Sequence, residues 1–268
     1  MSFLVTPGGV RLRYADRGEG GPPVVLVHGW KGSHRLFDAA IARLEGAQRV
    51  VAFDLRGMGE SDKPRCEYSF DELAGDLGCV LAERDLDDVT LVGWSMGCTV
   101  SLRYLETSAA RIGRLVLVNG PLRLTRTADF PHAMTDDELD GYLDDLRDHW
   151  PAGERAFQAA TVLDPSDAVV DWLCGIALQT PLDVALRVVR QQARLDMREA
   201  VARSPVPVLA AYSSADPYYP ASLADDIARR APDGRAVIFE HSAHCIPVEE
   251  AARFCAVIEA FGAGREIP

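Results

Sequence analysis

Short apolar runs recur along the chain, with room for a helix between most of them. The runs are rich in β-branched residues, which is typical of strands buried on both faces of a sheet. Several segments between them repeat apolar residues with the period of a helix. Strands are predicted near residues 24–28, 49–53, 89–92, 114–118, 206–212 and 235–240, and helices near 35–45, 71–85, 96–108, 220–231 and 248–262. This alternation predicts an α/β fold, with helices flanking a mostly parallel sheet on both faces.

The N-terminal segment predicts two further strands. Residues 3–5 and 10–14 are joined by Pro7-Gly8-Gly9, which is typical of a hairpin turn. With the six runs above, they bring the predicted sheet to eight strands.

The alternation stops between Gly120 and roughly Arg203, where only helical patterns appear. Thr135-x-x-Glu138 predicts a capping box at the start of one helix. Asp164-Pro165 and Thr180-Pro181 predict two more helix starts, with proline at the first helical position. The predicted domains are a core of residues 1–120 and 204–268 and an inserted helical cap of residues 121–203.

A serine occupies a turn between a predicted strand and a predicted helix. The sequence there is Gly93-Trp94-Ser95-Met96-Gly97, and a G-x-S-x-G turn in this context holds its serine at a strained, exposed corner. The glycines are needed because neighbouring backbones approach too closely for a Cβ. Free N–H groups at the helix start can stabilise developing negative charge. Ser95 is therefore predicted to be a nucleophile, the alternative being an ordinary N-cap serine.

A serine needs a base and an orienting acid to act as a nucleophile. His244 lies in the loop after the last predicted strand, whereas His241 lies closer to that strand and is expected to be structural. Asp216 follows the preceding predicted strand, and its alternative role is that of an ordinary turn aspartate. We predict that Asp216 and His244 complete a triad with Ser95.

Two further motifs accompany these residues. Val27-His28-Gly29-Trp30 follows one predicted strand, and the segment 54–64 (DLRGMGESDKP) follows the next. With the chain order Ser, Asp, His, they identify a resemblance to the α/β-hydrolase superfamily over most of the chain. The resemblance implies an oxyanion hole formed by the backbone N–H groups of Trp30 and Met96, which would stabilise the alkoxide formed when a carbonyl is attacked.

Some positions depart from the common family pattern. Lys31, Met58 and Cys98 stand where relatives often have proline, histidine and glycine. None of them belongs to the triad, so the departures affect the expected pocket walls and not the expected chemistry. A serine at the elbow argues against haloalkane dehalogenases and epoxide hydrolases, which resemble this chain but use aspartate there.

The resemblance also implies that the helical insertion is a cap over the nucleophile. A cap excludes water and gives the site an apolar ceiling, so an uncharged, moderately hydrophobic substrate is expected. The aromatic and methionine residues expected to contact it, although each is more often a packing residue, are Trp30, Phe130, Met134, Trp150 and Trp172.

Composition excludes several other functions. The formal net charge of −12 disfavours nucleic acid as a partner. No apolar run approaches the ~18 residues that a membrane span needs, and the N-terminus does not resemble a signal peptide, so a cytoplasmic protein is expected. The six cysteines contain no C-x-x-C spacing, so no metal is predicted. No cofactor is expected, and the sequence leaves the oligomeric state open.

The leading hypothesis is a serine hydrolase that cleaves a carboxylic ester or lactone. Cofactor-free haloperoxidases or perhydrolases share the serine turn and a tryptophan after H-G. Carbon–carbon bond hydrolases resemble the chain in triad and cap, but several carry a tryptophan after the catalytic histidine, where Cys245 stands here. A non-catalytic binding protein is the remaining alternative, disfavoured because all three triad candidates are present.

Overall fold

The computed structural model describes residues 2–268 and contains one sheet of eight strands. The strands are β1 (Ser2–Val5), β2 (Arg11–Arg17), β3 (Val24–Val27), β4 (Val50–Phe53), β5 (Val89–Trp94), β6 (Ile112–Val118), β7 (Val208–Ser213) and β8 (Gly234–Phe239). Their order across the sheet is β1-β2-β4-β3-β5-β6-β7-β8. Strands β3 to β8 run parallel, and β2 is antiparallel to both β1 and β4. The predicted fold and strand count are confirmed.

Helices cover both faces of the sheet. They are α1 (Asp38–Leu44), α2 (Phe70–Glu83), α3 (Met96–Thr107), α4 (Asp136–His149), α5 (Glu154–Ala160), α6 (Asp167–Ala177), α7 (Leu182–Gln192), α8 (Arg198–Ala202), α9 (Ser222–Arg230), α10 (Ile246–Glu249) and α11 (Ala251–Gly262), with a 3-10 helix at His34–Phe37 before α1. Helices α1, α10 and α11 pack together on one face, and α2, α3, α8 and α9 pack on the other.

Strand β3 shows why the parallel strands are apolar throughout. Val25 and Val27 point into one core cluster, and Val24 and Leu26 point into the other. Successive side chains of a strand point to opposite faces, so a strand with helices on both sides has no polar face. The carboxyl ends of the parallel strands meet at one edge of the sheet, which is where ligands bind in open α/β sheets.

The segment 121–207 between β6 and β7, here called the insertion, carries α4 to α8. Helix α4 begins at the predicted capping box, since Thr135 and Glu138 each accept the other's backbone N–H. The two proline-based starts are corrected. Helix α6 is capped by Ser166 and not by Asp164, because the Ser166 hydroxyl accepts a backbone N–H of the first turn. Helix α7 begins after Pro181, whose backbone is extended.

Three further findings concern residues 2–268. No single helix is long and apolar enough to cross a membrane. Helices α6 and α7 together reach the length and apolar composition of a membrane span, but only by length and composition, and they are bent by 84° at their junction. No three His, Cys, Asp or Glu side chains in this range are grouped so that they could hold a metal ion. All six cysteines are free thiols.

Candidate active site

Ser95 stands at the corner between β5 and α3. Its backbone has φ +56° and ψ −122°, and such strained conformations cost a non-glycine residue about 1–3 kcal/mol. The Ser95 N–H donates to the Val118 carbonyl at 2.8 Å, which helps to hold the turn. A Cβ on Gly97 would overlap the carbonyl of Val27, and a Cβ on Gly29 would lie 2.9 Å from the Ser95 Cβ. The corner therefore depends on glycine at both positions.

The Asp216 carboxylate and the His244 ring are joined by a hydrogen bond. Asp216 Oδ2 accepts from His244 Nδ1 at 2.8 Å, and the carboxylate is fully buried. Its other oxygen accepts the backbone N–H groups of Tyr218 at 2.7 Å and Tyr219 at 3.2 Å. Because an ionised carboxylate only accepts, Nδ1 carries the proton and Nε2 keeps a free lone pair. This is the tautomer that a general base requires.

The backbone around His244 is fixed from two sides. The indole Nε1 of Trp94 donates to the His244 carbonyl at 2.9 Å. The Asn119 side-chain amide donates to the same carbonyl at 3.2 Å and to that of Ala243 at 3.1 Å. From the insertion, the Thr161 carbonyl accepts the His244 N–H at 3.0 Å. The sheet and the insertion together therefore set the position of the imidazole.

Trp30 and Met96 carry the two backbone N–H groups expected at an oxyanion hole. Met96 is the first residue of α3, so its N–H has no acceptor within that helix. Within the described part of the chain, the Trp30 N–H also donates no hydrogen bond to another backbone group. Both residues line the same cavity as Ser95. Free N–H donors around a hydroxyl can stabilise the negative charge that develops on an attacked carbonyl.

His28 holds the loop that carries Trp30, here called the oxyanion loop (residues 28–32). Its Nε2 accepts the Leu55 N–H at 3.0 Å, so its Nδ1 donates to the Gly29 carbonyl at 2.7 Å. This pattern requires a neutral ring, and burial lowers the pKa of His28. The loop is thus held on the sheet side without a charge.

One cavity of about 170 Å³ contains both Ser95 and His244 in its wall. Loops of the core and helices of the insertion form this wall, and most of the side chains in it are aliphatic or aromatic. Of the residues proposed from the sequence to contact substrate, Trp30 and Met134 lie in the wall.

Phe130, Trp150 and Trp172, also expected from the sequence to contact substrate, lie outside this wall. Phe130 is buried beneath the Arg198 guanidinium, 5.4 Å from the ring centroid. Trp150 lines a smaller neighbouring pocket, and Trp172 packs against the core cluster that contains α1 and α11. Helical periodicity identifies the apolar side of a helix, but it does not distinguish a side that packs on the core from one that faces a cavity.

Several residues of the cavity wall are not among those predicted from the sequence. The rings of Tyr218 and Tyr219 flank the His244 imidazole, with centroids 5.1 and 5.9 Å away. Phe157 stacks on Tyr218 at 5.8 Å. Burial raises the pKa of both tyrosines, which keeps their hydroxyls protonated. The position of Tyr218-Tyr219 directly after Asp216-Pro217 is the signal that would have found them.

The insertion supplies the other unanticipated wall residues, among them Tyr142, Phe157, Gln158 and Gln192. No motif marks these positions in the sequence, because their place in the wall depends on how α4, α5 and α7 pack.

The sequence profile of the alpha/beta hydrolase fold family matches residues 22–251. The chain belongs to this family. An esterase from Exiguobacterium antarcticum has the same fold, with a TM-score of 0.92 at 24% identity over 98% of this chain and 99% of its own.

Curated relatives carry two different kinds of activity in their names. A pimeloyl-[acyl-carrier protein] methyl ester esterase from Nitrosomonas europaea is 28% identical over 84% of this chain and 89% of its own length. A non-heme chloroperoxidase from Kitasatospora aureofaciens is 28% identical over 92% of this chain and 93% of its own length. The chain is therefore similar to enzymes of the hydrolase family over most of its length.

Proposed function

We propose that this protein is a serine hydrolase that cleaves a carboxylic ester or lactone through an acyl-enzyme intermediate on Ser95. One observation carries the proposal: Ser95, at a strained corner, shares an apolar cavity with His244, whose ring is oriented by Asp216. Similarity to a methyl ester esterase supports the same chemistry.

The first half of the reaction forms the acyl-enzyme. His244 Nε2 takes the hydroxyl proton while Ser95 Oγ attacks the carbonyl carbon, and Asp216 stabilises the resulting imidazolium. The backbone N–H groups of Trp30 and Met96 donate to the oxyanion of the tetrahedral intermediate. Its collapse breaks the carbon–oxygen bond of the ester. The departing alcohol oxygen takes the proton from His244, and the acyl group remains on Ser95.

The second half returns the enzyme to its starting state. His244 takes a proton from water, whose oxygen attacks the acyl carbon. The Ser95 oxygen then leaves and recovers a proton from His244, and the carboxylic acid is released. In a lactone, the alcohol and the acid belong to one product molecule. Ser95, His244 and water supply every proton and electron pair in these steps.

The cavity favours a small, uncharged and moderately hydrophobic substrate. A volume of about 170 Å³ is below the ~300–1,000 Å³ typical of sites for drug-sized ligands. Lys31 belongs to the wall, but its ammonium is buried and already paired with the Glu154 carboxylate at 2.6 Å. A charged substrate would therefore lose its hydration without gaining a free counter-ion.

Ser95→Ala tests the proposal. We expect hydrolysis of a nitrophenyl ester to fall by on the order of 10⁴-fold or more, because the nucleophile is absent. Ser108→Ala removes an exposed hydroxyl at the end of the same helix and should leave the rate unchanged. A serine-directed phosphonate should label Ser95 in the wild type. Full activity of Ser95→Ala would exclude the mechanism.

Peroxide as the acyl acceptor is a second candidate activity. The relation to a non-heme chloroperoxidase, together with Trp30 in the cavity wall, favours it. Hydrogen peroxide would replace water in the second half, which gives a peracid, and the peracid would oxidise halide to hypohalous acid while returning to the carboxylic acid. Peroxide-dependent halogenation in acetate buffer, compared with ester hydrolysis by the same preparation, separates the two activities.

A further inference from the structure

One ion pair joins the oxyanion loop to the insertion inside the protein. Lys31 Nζ lies 2.6 Å from Glu154 Oε2, and the two side chains are 0% and 1% exposed. The other oxygen of Glu154, the first residue of α5, accepts the Gln158 amide at 2.7 Å. The ammonium also lies 4.2 Å from the ring centroids of both Trp30 and Phe157. Buried charges tolerate little loss of such partners, so this contact fixes one geometry.

Within residues 2–268, one other ion pair joins the core to the insertion. Arg187 and Glu67 lie 3.9 Å apart, with side chains 50% and 77% exposed. Exposed pairs contribute little to stability and allow movement. The pair Arg187–Glu67 therefore serves as an internal reference for Lys31–Glu154, since it connects the same two parts of the chain without constraining them.

Lys31 adjoins the expected oxyanion hole in the chain. It directly follows Trp30, and its backbone has φ +54°, so the loop turns sharply at this residue. The Gly32 N–H donates back to the Gly29 carbonyl at 3.1 Å and closes the turn. The indole Nε1 of Trp30 donates to the Ala185 carbonyl of α7 at 3.0 Å. Two successive loop residues are thus tied to two helices of the insertion, Trp30 to α7 and Lys31 to α5.

Helix α5 is also connected to His244, the candidate base. The helix begins with Glu154 and is followed by Thr161, whose carbonyl accepts the His244 N–H at 3.0 Å. Phe157, between them, contacts both Trp30 and Tyr218. The same short helix therefore contacts the oxyanion loop near its N-terminus and the histidine loop just beyond its C-terminus.

We infer that Lys31 is a positioning residue: its buried pairing with Glu154 sets the direction of the Trp30 N–H and makes the oxyanion hole depend on α5 being seated over the cavity. This rests on the proposed function. The ammonium acts on the reaction through the backbone of the oxyanion loop and not on the substrate, because its charge is committed to Glu154.

Lys31→Met tests the inference with a side chain of similar length and no charge. We expect kcat for a nitrophenyl ester, counted per site titrated by phosphonate, to fall by roughly 10- to 100-fold, as for a misplacement of about 1 Å. KM should change little, and affinity for a trifluoromethyl ketone should fall in parallel with kcat/KM. The reference variants Glu67→Gln and Arg187→Met should stay within about two-fold of wild type.

The double variant Lys31→Met/Glu154→Met covers the case in which the single variant does not fold. Replacing a buried ion pair with apolar residues often preserves stability, so its Tm should equal or exceed that of wild type. We expect kcat per site to remain at least about 10-fold low, because an apolar contact does not define the loop direction. A folded double variant with wild-type kcat would overturn the inference. A wild-type protein that neither hydrolyses esters nor labels at Ser95 would instead overturn the proposed function.

Discussion

The Trp94 indole donates a 2.9 Å hydrogen bond to the carbonyl oxygen of His244. This bond joins the residue before the proposed nucleophile to the proposed base. The two rings also approach each other, with centroids 5.7 Å apart. Strands β5 and β8, which lead to the two loops, are separated by two other strands in the sheet. The bond therefore fixes the distance between the loops that carry Ser95 and His244, which strand pairing alone does not determine.

Trp94→Phe removes this donor and keeps an aromatic ring. The His244 carbonyl then retains the longer bond from Asn119, so we expect the free energy of unfolding to fall by about 1 kcal/mol. The kcat for ester hydrolysis should fall by on the order of 10-fold, because the imidazole is less well placed. Trp172→Phe, outside the cavity wall, controls for loss of an indole. Equal kcat in the two variants would contradict this role of Trp94.

Asp216→Asn tests the orientation of the imidazole. The backbone N–H groups of Tyr218 and Tyr219 donate to one oxygen of Asp216, so they would hold the amide oxygen of asparagine. The amide NH₂ would then face His244 Nδ1 and place the ring proton on Nε2, where the base needs a lone pair. We expect kcat to fall by about 10⁴-fold with the fold intact. Activity is measured beside Asp225→Asn, an exposed control, and a loss of less than ten-fold would argue for another acid.

The parts of the candidate site that can be predicted from the sequence depend on local sequence signals. Ser95, Asp216 and His244 each follow a strand of a parallel sheet, and such strands end at one edge. Strand order along the chain and turn chemistry are local signals, so they place these residues near each other without knowledge of packing. The serine corner is predictable for the same reason, since its glycines report a close backbone approach.

The parts that escaped prediction depend on contacts between distant segments. Lys31 and Glu154 are 123 residues apart in the chain, and neither stands in a pattern that pairs them. The sequence marks Phe130 and Trp172 as apolar, but whether they face the cavity or the core follows from how the insertion helices pack. Periodicity defines one face of a helix and not its neighbour.

The Asp54 carboxylate should make stability depend on pH. It is fully buried and accepts from the Ser33 hydroxyl, from His34 and from the Glu60 N–H. Burial opposes ionisation, but the hydrogen bonds from the His34 side chain and from the Glu60 N–H outweigh it and lower the pKa of Asp54 from 3.8 to about 2. A carboxyl with a lowered pKa in the folded state stabilises the fold above its unfolded pKa, and that stability is lost as pH falls toward its folded pKa.

Asp54→Asn, compared with wild type by chemical unfolding across pH, measures this effect. The variant should be less stable at neutral pH, and the difference should shrink by about 2 kcal/mol between roughly pH 5 and pH 2. Asp225→Asn, on the surface of α9, should show no such convergence. A difference that stays constant over this range would mean that the Asp54 charge does not contribute.

Gly29→Ala should reduce activity more than stability, whereas Gly141→Ala should reduce neither activity nor stability. A Cβ at Gly29 would lie 2.9 Å from the Ser95 Cβ and 3.3 Å from its Oγ, so the oxyanion loop or the serine must shift. A shift of a few tenths of an ångström to about 1 Å is expected to lower kcat by up to about 100-fold.

Gly141 lies within α4, where an added Cβ meets nothing, and alanine there should raise stability by about 0.5–1 kcal/mol. Measuring kcat and Tm for both variants separates a steric effect at the serine from a general effect of replacing glycine. If Gly29→Ala kept wild-type kcat, the loop would have room to move without disturbing the reaction, and the close packing of Gly29 on Ser95 would not be a requirement of catalysis.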